Sequence, residues 1–104
     1  MEISLFYVPC GSSEEASGLI KKLLDDKVIA CGNIIPSHSI YIWDGSQQND
    51  QEWIAVLKTL PELESAVQQI VQSIHTYDTP AIIHWTAKCN QVYYEWMTQT
   101  CKVP

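Results

Sequence analysis

At 104 residues, with a net charge of −6 and 46% hydrophobic residues, the chain has the size of one compact domain, 1–104, that can build a core without staples. That hydrophobicity excludes disorder, and six basic residues scattered against twelve acids exclude the clustered patch that nucleic-acid phosphates require. No apolar run approaches the ~18–20 residues of a membrane span, and the opening "MEISLFYVPCG" lacks a basic n-region. The expectation is therefore a cytoplasmic protein with no membrane attachment.

In chain order, "EISLFYVP" (2–9) is an apolar, β-prone run closed by Pro9 and Gly11. Ser12 stands three residues before Glu15, the spacing of a capping box. Ala16, Leu19, Ile20, Leu23 and Leu24 then recur at helical spacing and predict a helix over 13–27. "IACGNIIP" and "SHSIYIWDG" read as one long strand bent at Pro36. Asp44-Gly45 signals a turn, with "SQQND" expected as a polar hairpin loop before the strand 52–59. Thr59 and Glu62 repeat the capping-box spacing around Pro61, and Leu63, Ala66, Val67, Ile70, Val71 and Ile74 predict a helix to about 75. "HTYDTP" is a loop, Pro80 opens the strand "AIIHWTA", and Asn90 can cap a short helix holding Val92, Tyr93, Trp96 and Met97.

The order β-α-β-β-α-β with a terminal helix specifies an α+β, ferredoxin-like plan: an antiparallel sheet with both long helices on one face. The middle and last strands carry Ile, Val, Trp or Ala on both faces. A sheet face left to water should alternate toward polar residues, so the second face is expected to be covered by copies of the chain. Cys10, Cys31, Cys89 and Cys101 show no C-x-x-C pair and no signal for an oxidising compartment, so they are expected as free thiols. No G-x-S-x-G, glycine-rich phosphate loop or base beside a cysteine is present, which gives no support to an enzyme.

"IACGNIIP", "SIYIWDG", "EWIAVLKT" and "HTYDTPAI", in this order and spacing, resemble the CutA family of divalent-cation tolerance. The resemblance runs from the first strand to Trp96 and implies a ferredoxin-like homotrimer similar to the PII signalling proteins. It further implies a non-enzymatic role in tolerance of copper or other divalent cations, with some bacterial members binding copper. Animal members are linked to anchoring of acetylcholinesterase, so a structural or partner-anchoring trimer with no metal is the alternative.

The ligand positions implied by the resemblance are held here by Val8, Ile74 and Ala81, and Thr76 replaces a family proline, so only His75 survives of the expected metal set. Cys10, just past the first strand, is a substitute ligand, although nothing in the sequence places it near His75. Two roles are open for His75: a soft-metal ligand, or a helix-end residue whose ring bonds a last-turn carbonyl or Asp78. His84 is expected as a hydrogen-bonded sheet histidine and His38 as a surface residue of the bend. Trp43, Glu52, Lys58 and Tyr77 form a second candidate set. The likeness to PII-like trimers implies an inter-subunit cleft there, taking a metal-bearing or small anionic ligand. A structural ion pair at Lys58 is the other reading.

Overall fold

The computed structural model describes residues 1–103. Strand β1 (Glu2–Cys10) leads to helix α1 (Ser13–Asp25), then to β2 (Cys31–Trp43) and β3 (Ser46–Thr59). A 3-10 turn (Pro61–Leu63) enters helix α2 (Glu64–Ile74), followed by β4 (Ile83–Lys88) and helix α3 (Gln91–Thr100). The strands lie in the order β2-β3-β1-β4, all neighbours antiparallel. This is the α+β plan expected from the element order.

Helix α1 starts where the sequence places it, with Ser12 Oγ accepting from the Glu15 amide at 3.0 Å. It ends two residues before the expected Lys27, because Lys27 turns left-handed at φ 59°. There the Lys27 and Val28 amides close onto the Leu24 and Leu23 carbonyls, which stops the helix as a glycine usually would. Helix α2 begins later than the Thr59–Glu62 spacing suggests. Thr59 is the last residue of β3, and its hydroxyl donates to the Val28 carbonyl at 2.5 Å instead of capping a helix. Asn90 holds the N-cap position of α3 but makes no side-chain cap hydrogen bond.

The "SQQND" segment is a correction: it is strand, not loop. Only Asp44 and Gly45 form the turn, with φ of 50° and 75°, and Trp43 pairs directly with Ser46. Two consecutive positive φ angles match the twist of a two-residue hairpin, so the polar residues after it continue the ladder. β2 runs through Pro36 without interruption, and it is an outer strand, where a missing N–H is tolerated.

The pairing register assigns the faces. One face presents Phe6, Val8, Cys10, Ala55 and Leu57, all fully buried, in a single core with Ala16, Leu19 and Leu23 of α1 and Val67 and Val71 of α2. Gly32 lets α1 approach β2, since a Cβ there would stand 2.7 Å from Ile20 Cγ1 and Cγ2. The other face carries Leu5, Tyr7, Val56, Lys58, Ile83 and Trp85. α3 meets it at Lys58, whose Nζ lies 5.7 Å from the centre of the Tyr93 ring. Tyr7, Ile35, Ile83 and Trp85 stay exposed there. β1 pairs with β3 only as far as Cys10–Trp53, so residues 37–52 project as a two-stranded arm beyond the sheet.

Candidate functional site

Two groups of polar side chains meet at the end of β1, one on each side of the sheet, joined by the loop that follows α2. On the helix side lie Cys10, Glu15 and His75. One potential ligand atom from each falls within 4.8 Å of the other two. The fold explains this meeting. Cys10 ends β1, Glu15 occupies the first turn of the helix that follows, and His75 caps α2.

His75, whose side chain is 1% exposed, has both ring nitrogens engaged. Its Nδ1 accepts the Tyr77 backbone N–H at 3.1 Å, so the ring proton sits on Nε2, which donates to the Pro9 carbonyl at 2.8 Å. The partners are thus a strand carbonyl and a loop amide, not the last-turn carbonyl or Asp78 expected for a helix-end role. Glu15 does not return to the Ser12 amide as a full capping box would. Its Oε2 accepts from Thr76 Oγ1 at 2.6 Å, and its Oε1 lies 3.8 Å from His75 Nε2, buried and without a hydrogen-bond partner. Burial, then the charges of Glu15 and Glu52, pushes the Cys10 thiol up to about 12, so it stays protonated and donates to the Val8 carbonyl at 3.6 Å.

On the opposite face the arm, the loop and the end of β1 enclose a cleft of about 580 Å³. Register puts Tyr41, Trp43, Asp50 and Glu52 on this one face, and the loop adds Tyr77 and Asp78. Tyr77 Oη donates to Glu52 Oε2 at 2.7 Å, and Tyr41 Oη donates to Asp50 Oδ2 at 2.6 Å. Both phenols are raised above the ordinary 10.0, Tyr77 first by burial and Tyr41 first by its bond to Asp50, so both remain neutral donors.

Of the cleft residues expected from the sequence, Trp43, Glu52 and Tyr77 come together and Lys58 does not. Lys58 stands six positions further along β3 than Glu52, about 20 Å at strand rise, packed over Tyr93. The lining of this cleft within one chain carries Asp50, Glu52 and Asp78 and no basic side chain among the described residues. His84 Nδ1 lies 3.3 Å from Glu64 Oε2 without the expected side-chain hydrogen bond and stacks on Phe6, and His38 pairs with Asn49 on the arm. The sequence reading missed Glu15, seen only as a cap, and Asp50, hidden by assigning "SQQND" to a loop; Tyr41 lay in the expected strand beside Trp43 but was not assigned to the cleft.

A family model described as CutA1 divalent ion tolerance protein matches residues 4–100. The divalent-cation tolerance protein CutA of Pyrococcus horikoshii is 33% identical over 99 residues, covering 94% of this chain and 97% of that protein. The protein of the same description from Thermotoga maritima is 37% identical over 93 residues, covering 89% and 90%. Among solved structures, divalent ion tolerance protein CutA1 from Ehrlichia chaffeensis superposes with a TM-score of 0.91 at 35% identity, covering 94% of each chain. That of Archaeoglobus fulgidus, described as a periplasmic divalent cation tolerance protein, gives 0.89 at 30% identity, covering 94% and 97%. No helix among the described residues is long and apolar enough to cross a membrane.

Proposed function

Because the chain belongs to the CutA1 divalent ion tolerance family, we propose that it acts in divalent-cation tolerance as a non-enzymatic homotrimer of one domain, 1–104, in the cytoplasm. It takes up a metal ion, copper or another divalent cation, at Cys10, Glu15 and His75, the thiol releasing its proton and the His75 ring exchanging its bonds to Pro9 and Tyr77 for the ion. The observation that carries this reading is Glu15 Oε1, a carboxylate oxygen buried without a partner beside a thiol and an imidazole. A buried polar atom left unpaired costs ~1–3 kcal/mol, and a cation between the three side chains would satisfy it. The donor set of sulfur, nitrogen and oxygen suits zinc or copper better than magnesium or calcium. No constellation for nucleophilic or acid–base catalysis accompanies it: the cysteine is held protonated and both histidine nitrogens are occupied.

Calorimetric titration of metal-stripped protein with copper and zinc tests this reading. One ion per chain is expected, with affinity falling at least tenfold in Glu15→Gln and in Cys10→Ser. A titration identical in wild type and both variants refutes it. One observation favours the second reading, a structural or partner-anchoring trimer without a metal: His75 already ties the loop to β1 through both ring nitrogens. Under that reading His75→Ala lowers the melting temperature and no protein form takes up metal.

A further inference from the structure

The cleft on the other face poses a charge problem that the metal site does not solve. Glu52 is only 8% exposed, yet Tyr77 Oη is its one hydrogen-bond partner among the described residues, and no Lys, Arg or His lies within ion-pair reach. The second Glu52 oxygen is not among the buried unpaired atoms and therefore opens into the cleft, where no cationic side chain meets it. Asp50 is also held by one phenol, and Asp78 adds a third carboxylate to the same lining. The rest of the wall is aromatic: Tyr41, Trp43 and Tyr77.

We propose that this cleft binds a small organic cation, an amine or quaternary ammonium group, set against the aromatic side chains and neutralised by Glu52, Asp50 and Asp78. Three features select that class. The sign of the lining repels anions. The volume, about 580 Å³, lies within the range of small-molecule pockets and far exceeds a bare ion. Aromatic rings offer no lone pair to a hydrated metal ion, whereas an alkylated ammonium gains both cation–π attraction and apolar contact from them. Each tyrosine hydroxyl holds one oxygen of its carboxylate, Asp50 Oδ2 and Glu52 Oε2, and the other oxygen carries no hydrogen bond among the described residues. Their raised proton affinity keeps them donors rather than competing charges.

The test is calorimetric titration of the native, assembled protein, with chelator present, using tetramethylammonium chloride at constant ionic strength. The neutral tert-butanol, similar in size, and propionate, an anion, serve as comparisons. Saturable millimolar binding of tetramethylammonium alone is expected. Affinity should fall at least tenfold in Glu52→Gln, which can still accept the Tyr77 hydroxyl and so loses charge without losing shape, and similarly in Trp43→Leu. Asp50→Asn, on the exposed arm, provides a second charge variant should Glu52→Gln fail to fold. Absence of saturable heat from wild type, as when a neighbouring copy fills the cleft, overturns the proposal. So does tert-butanol binding as tightly as the ammonium, or unchanged affinity in a folded charge variant. The chelator keeps this outcome separate from that of the metal titration.

Discussion

The Tyr77 amide settles the protonation of His75, since a backbone N–H can only donate and Nδ1 must therefore accept. Cys10 is likewise held in one form, its thiol shifted from the ordinary 9.0 to about 12 by burial and the nearby carboxylates. A folded-state value above the unfolded one means the protonated thiol stabilises the fold fully below about pH 9. That contribution is lost as pH rises from 9 toward 12, because only the unfolded chain releases the proton there. Metal-stripped wild type should therefore lose stability across that window through linkage. Cys10→Ser, which does not titrate, should lose less, as measured by urea midpoints at pH 8.5 and 11. Equal losses would remove Cys10 as the cause. In the sequence these residues were visible separately but not as a set. Cys10 and His75 meet only because β1 ends beside the end of α2, and helical periodicity carries no such long-range information. Glu15 was assigned to its amide, which does bond Ser12, while its side chain went elsewhere.

At the scale of elements, helix α1 was legible because its apolar spacing and its cap agree with the packing that follows. Its seat on β2 was not, because that depends on a missing side chain. A methyl at Gly32 would lie 2.7 Å from both Cγ carbons of Ile20, which is itself buried. Gly32→Ala should cost ~1–3 kcal/mol by overpacking, and far less in an Ile20→Ala background, where those carbons are gone. Urea unfolding of the two single variants and the double variant measures the coupling, and additive costs would refute the close approach. The arm was misread for the opposite reason. Gln47, Gln48, Asn49 and Asp50 have low strand preference, yet the two positive φ angles at Asp44 and Gly45 lock their pairing with β2. Moving that boundary is what brings Asp50 into the cleft, where it accepts from Tyr41 Oη.

Over the whole molecule, the radius of gyration is 14.3 Å, above the ~13 Å of a compact chain this long, because the arm extends the longest dimension to 45 Å. Ile40 and Ile42 point from one side of the arm and Tyr41 and Trp43 from the other, all at least 41% exposed, while Ile83 and Trp85 remain bare on the sheet. Such surface is more than an isolated chain ordinarily leaves to water. It agrees with the two-faced strand pattern, which calls for a cover on that face. Sedimentation equilibrium should give three chains per particle, and Trp85→Glu should shift the particle toward one; a monomeric wild type would contradict the assembly. The arm then has a thermodynamic consequence. If Ile40 and Ile42, on the side of the arm away from the cleft, leave water only against a neighbour, part of the stability of each fold belongs to association and follows mass action. The melting temperature becomes a function of how much protein is present, and dilution itself acts as a denaturant.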